Sequence, residues 1–211
     1  ESLTRAKKAI DDGSLKAEIA PVTVKTRHGE TVVEDDEQPH KANIDKIPEL
    51  RPAFAKDGTI TPANSSSISD GASALVLMSA AEATNRGLQP LARIVAQARH
   101  SQEPSEFTIA PIGAIKKLFE KTGWTQEDID LFEINEAFAM DTMLAMQDLG
   151  LDHDKVNVHG GACAQGHPIG STGSRIIVTL MYALRKLGKK RGVAALCIGG
   201  GEATAVAIEL L

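Results

Sequence analysis

A layered α/β fold is the expectation for this chain, and three observations carry it. Short aliphatic runs alternate with segments of helical period, as where Leu131–Ile134 is followed by Glu136–Leu149. The chain closes on Val193–Ile198, a turn at Gly199-Gly200-Gly201 and Ala203–Leu210, which read as an antiparallel strand pair. Only seven aromatics occur in 211 residues that are 42% hydrophobic, so aliphatic and alanine side chains must fill the interior, as where helices lie on a sheet.

The elements follow in order. The chain opens on a helical pattern with Leu3, Ala6, Ala9 and Ile10 on one side. Because the first residue is Glu1, it is expected to begin inside a larger protein and to carry exposed apolar seams. The extended run Ala17–Lys25, His28-Gly-Glu and Thr31-Val-Val predict a hairpin. Residues Glu34–Asp57 are charged and aperiodic, with Pro39, Pro48 and Pro52, and predict a long loop. The turn cluster Asn64–Gly71 feeds Ala72–Met78, whose small and aliphatic residues predict a strand covered on both faces. Helix is predicted over Ala80–Asn85, strand over Ala92–Ala96, and helix over Ile112–Lys121 stopped by Gly123. Thr125 with Glu127 and Asp128 reads as a capped turn. Gly170–Leu187 reads as a helix buried on most sides.

Charge and hydropathy restrict the function classes. The formal charge is −5, with 28 acidic against 23 basic residues, and no basic run gives a nucleic-acid footprint. No apolar stretch reaches the roughly 20 residues of a membrane helix, and no signal pattern opens the chain. An intracellular, cytoplasmic setting is expected. There the two cysteines, Cys163 and Cys197, stay reduced and are available for chemistry.

Three motifs carry that chemistry. Asn157–Arg175 is a glycine-rich loop entering a helix, where backbone amides approach a ligand closely and developing negative charge is favoured. It lacks the lysine of a phosphate-binding P-loop and the Gly-x-Gly-x-x-Gly of a dinucleotide site. Close packing of a helix entry explains the glycines equally well, and His159, Cys163, His167 and Cys197 leave a zinc site open. Cys197-Ile-Gly-Gly-Gly-Glu202 puts a thiol at a strand end before unhindered amides, suited to taking a carbon-bound proton beside a thioester; a buried packing cysteine is the plainer reading. Asn135-Glu-Ala-Phe138 places an amide at a strand-to-helix junction, as an oxyanion donor or as a helix cap.

Together and in this order, Asn135-Glu-Ala-Phe138, Gly166-His-Pro-Ile-Gly170 and Cys197-x-Gly-Gly-Gly201, with Asn64–Gly71 upstream, resemble the thiolase family along nearly the whole chain, acetyl-CoA acetyltransferases and 3-ketoacyl-CoA thiolases above all. The resemblance implies a partial thiolase-like α-β-α fold: residues 1–68 ending a loop region, 69–88 the last strand and helix of the N-terminal half, and 89–211 the C-terminal domain. It implies that Cys197 is the catalytic acid/base, that His167 and a water on Asn135 form one oxyanion hole, and that the Gly199 N–H serves a second. Ser66, Ala137 and Phe138 fall at coenzyme A contacts, while His40 stands where an arginine is common. The substrates implied are acyl-CoA and CoA, with no further cofactor and no metal. The partners implied are the N-terminal thiolase half and further copies in a homodimer or homotetramer. The family's acyl-accepting cysteine has no counterpart here, so the chain alone is expected to be inactive. A ketoacyl synthase would show a second histidine near Asn135, and a non-catalytic CoA-binding or assembly module is the reading of a different class.

Overall fold

The computed structural model describes all 211 residues, Glu1–Leu211. Helix α1 (Ser2–Asp11) buries Ala6 and Ala9 on the face that the sequence predicts. The hairpin follows as β1 (Val22–Thr26) and β2 (Gly29–Val33), paired from Val22↔Val33 to Thr26↔Gly29. All ten of its residues are exposed.

The stretch expected as a loop holds two short capped turns. Helix α2 (Glu37–Lys41) starts where the Asp36 carboxylate accepts the Gln38 N–H at 3.1 Å, and a 3-10 segment (Ile44–Glu49) starts where Asn43 accepts the Asp45 N–H at 3.0 Å. Capping of this kind depends on single side chains and leaves no hydrophobic period.

The strand expected over Ala72–Met78 is not formed. These residues enter no ladder or bridge, and Val76 is 85% exposed. A strand that reads as doubly covered needs neighbours on both edges and both faces, and this chain supplies none there. Ile68, Val76, Leu77 and Ile169 are among the most exposed hydrophobics.

Helix α3 (Ala80–Asn85) leads to the principal sheet through β3 (Ala92–Ser101), five residues longer than expected, with a register shift between Ile94 and Ala96. A 3-10 turn (Pro104–Ile109) and α4 (Ala110–Thr122) follow, and Gly123 ends α4 in the left-handed region at φ 70. After the capped turn Gln126–Asp128 comes β4 (Leu131–Ile134), then α5 (Ala139–Leu149). A 3-10 turn (His153–Lys155), α6 (Ala162–Gln165), α7 (Thr172–Lys186), β5 (Arg191–Ile198) and β6 (Glu202–Leu210) complete the chain.

The sheet order is β3-β6-β5-β4, antiparallel except for the parallel pair β4/β5. Alternation along the strands sorts the core into two layers. Phe132, Ile134, Val193, Ala195 and Ala205 pack with Ile115 and Leu118 of α4 and Ala145 of α5; Leu131, Ala194 and Ile208 pack with Ile176, Leu180 and Leu184 of α7. This is the α-β-α arrangement expected. Helix α7 is fully buried only along Thr172, Ile176, Thr179, Leu180, Ala183 and Leu184, a single stripe rather than most of its surface.

Candidate functional site

The parallel pairing of β4 with β5 brings their C-terminal ends to the same edge, with Ile134 opposite Ala195 and the Asn135 N–H donating to the Ala195 carbonyl at 2.9 Å. Asn135 and Cys197 are therefore neighbours across two strand ends. The segment Asn64–Ile68 straps the loops together there. Ser66 donates both its N–H and its hydroxyl to the Ala137 carbonyl, each at 3.0 Å, Ala139 N–H donates to Asn64 at 2.9 Å, and His167 N–H donates to Ser67 at 2.9 Å. Helix α5 consequently begins at Ala139, not at Glu136, because Phe138 is extended and bridged to Ser65 of this strap.

Two residues to which the sequence reading gave no role hold the frame. Asn157, at φ 48, accepts the Ile134 N–H and donates to the Ile134 carbonyl, both at 2.8 Å, so its amide imitates a neighbouring peptide at the end of β4. The buried Glu136 carboxylate accepts the Ser2 hydroxyl at 2.8 Å, the Cys163 N–H at 3.1 Å and the Asn157 amide at 3.3 Å. A Cβ on Gly161 would lie 2.5 Å from the carboxyl carbon of Glu136, so that glycine is required for packing. Both residues stand inside motifs, but their bonds cross more than twenty positions and leave no local pattern.

The residues expected at the site have distinct surroundings. The Thr172 hydroxyl donates to the Pro168 carbonyl at 3.0 Å and lies 2.7 Å from His167 Nδ1. One hydroxyl proton serves one acceptor, so Nδ1–H donates to Thr172 and Nε2 keeps its lone pair; this tautomer is assigned from the network. Burial, with Arg175 adding to it, holds the imidazole below its ordinary range and so neutral near pH 7. Asn135 is 1% exposed, and neither its amide nitrogen nor its oxygen has a partner. A cap would have used that oxygen. The Gly199 N–H is free of hydrogen bonds, and a Cβ there would meet no atom within 4 Å, so packing within the chain does not require glycine at this position.

Cys197 is 8% exposed, and its Sγ lies 3.8 Å from Asp141 Oδ2. Burial first, and then the Asp141 charge, push the thiol up to about 12. Cys163 sits on α6 with its Sγ 3.9 Å from the Glu136 carbonyl oxygen, and burial followed by the Glu136 charge pushes its thiol far above the ordinary range. Its surroundings are those of a packing residue. His159, Cys163, His167 and Cys197 do not assemble into a group that could hold a metal. The Ser66 hydroxyl is committed to Ala137, and the Phe138 ring packs on Phe54 and Phe107 with centroids 6.4 and 6.5 Å apart. Two residues before Asn135, and so on the same face of β4, Glu133 is fully buried 4.0 Å from Arg175; burial outweighs that cation and raises the carboxyl to about 8.

The ends of β4 and β5 thus bring together a basic-capable sulfur and an unpartnered amide, with a free N–H two residues beyond the sulfur, and the Asn64–Ile68 strap ties the backbone of the neutral imidazole's loop to the segment after Asn135. That set suits proton transfer at carbon beside a carbonyl whose oxygen gains negative charge.

Known proteins share this fold. Residues 88–210 match the family described as thiolase, C-terminal domain, and residues 1–81 match thiolase, N-terminal domain. The chain is 49% identical over 211 residues to the cytosolic acetyl-CoA acetyltransferase of Mus musculus, covering 99% of this chain and 53% of that protein. It superposes on the crystal structure of the Bacillus anthracis acetyl-CoA acetyltransferase with a TM-score of 0.96 at 46% identity, covering all of this chain and 54% of that one. A thiolase from Ascaris suum, solved in complex with coenzyme A, gives a TM-score of 0.88 at 39% identity over all of this chain and 53% of that one. The chain spans about half the length of the curated relatives it matches.

Proposed function

The chain belongs to the thiolase family, and from that premise we propose that it supplies the proton-transfer and charge-stabilising half of a thiolase reaction: condensation of two acetyl-CoA, or cleavage of a 3-ketoacyl-CoA by CoA. Cys197 as the thiolate takes the α-proton from the acetyl thioester during condensation, leaving thiol and enolate, and in cleavage the thiol gives a proton to the enolate. A sulfur this basic is a strong proton acceptor once ionised, which fits abstraction from carbon. His167 Nε2 takes the proton of an acyl-accepting thiol and then presents N–H to the thioester oxygen, beside a water held by Asn135. Gly199 N–H serves the second oxyanion.

Coenzyme A, bound in the Ascaris suum relative, is assigned here to the surface at Ser66, Ala137 and Phe138, where the rings of Phe54 and Phe107 pack on Phe138. The acyl-accepting cysteine is assigned to sequence outside these 211 residues, since Cys163 is engaged by Glu136 and Cys197 has the acid/base task. The chain alone is therefore inactive, and the working enzyme pairs it with the other thiolase half, as a homo-oligomer using no cofactor beyond CoA thioesters.

The observation that carries this reading is the orphaned Asn135 amide. A buried amide without partners lowers stability, and its retention at a strand end calls for a ligand. In a protein joining this chain to the upstream half of the Bacillus anthracis enzyme, Asn135→Ala lowers turnover about 10²-fold and leaves the melting temperature unchanged or raised. A fall in stability with turnover intact would show a packing role instead.

A further inference from the structure

We propose that Asp141 is a positioning residue for Cys197, its carboxyl holding the S–H on Oδ2 and thereby setting the strength of the sulfur as acid and base. The proposal rests on the reading of Cys197 as the acid/base and adds the group through which that thiol is tuned. No sequence motif pointed to Asp141, which lies on the third residue of α5, six positions beyond Asn135.

The geometry is specific. Asp141 is 1% exposed; its Oδ2 accepts the Phe138 N–H at 3.1 Å and stands 3.8 Å from Cys197 Sγ, while Oδ1 is buried without a partner. Capping of α5 accounts for the Phe138 bond. It does not account for a carboxyl taken fully out of water beside a thiol, because a capping carboxylate does its work at an exposed helix end. The other titratable groups around it offer no counter-charge. Glu136, before the helix, and Cys163 on α6 carry acidic functions. Glu106, on the 3-10 turn packed against α5, is turned to Gln102 Nε2 at 3.4 Å, and Lys116 of α4 pairs with Asp148 at the far end of α5 at 2.6 Å. Cys197 is thus the one side-chain donor that Asp141 has.

Burial first raises the Asp141 carboxyl to about 7, against the pull of the Phe138 and Cys197 bonds. Near neutrality the carboxyl therefore changes state beside the sulfur. The ionised form accepts the S–H and opposes a second negative charge, keeping the thiol protonated. The acid form can instead donate to the sulfur and accommodate the thiolate.

Two measurements test this without requiring turnover, so they fail or succeed independently of the thiolase reading. Alkylation of Cys197 by iodoacetamide, followed by peptide mass spectrometry, reads the thiolate fraction. Asp141→Asn keeps an acceptor for Phe138 and removes the charge, and the rate at fixed pH is expected to rise about tenfold or more, one unit in the thiol midpoint. Rates within about twofold of the parent would overturn the proposal. Carbon-13 NMR of the Asp141 carboxyl, in the parent and in Cys197→Ala, gives the reciprocal reading. Loss of the S–H donor is expected to raise the carboxyl midpoint, and an unchanged midpoint would overturn the proposal even if Asp141→Asn failed to fold.

Discussion

Cys197→Ala stops exchange of the α-protons of acetyl-CoA with solvent, by about 10³-fold or more, in the joined protein that restores the upstream half, while acylation of the upstream thiol continues. Of the groups assigned to the reaction at the ends of β4 and β5, Cys197 is the one with the basicity for this step. His167 is held neutral with its Nδ1 proton on Thr172, and its lone pair is assigned to the nucleophilic thiol; the Asn135 amide and the Gly199 N–H are not bases. General acid/base catalysis contributes about 10² to 10⁴-fold, and the buried sulfur is the group placed to provide it. The replacement removes one atom from a strand end and leaves the Ala203 pairing opposite it intact, so the fold persists. Deuterium wash-in followed by NMR, with acylation followed by mass spectrometry, separates the two half-reactions. Exchange retained at the parent rate removes Cys197 from its assigned role.

Glu136→Ala destabilises the chain by about 2–4 kcal/mol, the cost of leaving several buried donors without a charged acceptor. The carboxylate accepts from Ser2, Asn157 and Cys163, and so ties α1, the end of β4 and α6 into one piece. Removing it also opens a space against Gly161, which is glycine because the carboxyl fills the position of a Cβ. Urea denaturation measures the change. Glu136→Gln, which keeps one acceptor oxygen, is expected to lose less than half as much, and a loss under about 0.5 kcal/mol for the alanine variant would mean that the loop is held by other contacts.

The layered fold was legible because aliphatic runs and helical periods record which face is buried. Leu131–Ile134, Ala80–Asn85 and the β5–β6 pair form where their residues place them. Capped turns such as α2 were not legible, since Asp36 and Asn43 act through single hydrogen bonds. The strand at Ala72–Met78 was misread for the opposite reason: its composition suits a covered strand, but pairing requires partners absent from this chain. At the site, short-range patterns identified the surroundings of Asn135, His167 and Cys197. Glu136, Asn157 and Asp141 escaped because their partners are distant in sequence.

Cleavage of a 3-ketoacyl-CoA by CoA, assayed on the purified 211-residue chain and on the same chain joined to an upstream thiolase half, tests the central claim most directly. The account predicts turnover by the joined protein and none by the chain alone, because acid/base and oxyanion groups without a nucleophile cannot form an acyl-enzyme. Turnover by the chain alone, free of full-length enzyme, would contradict it.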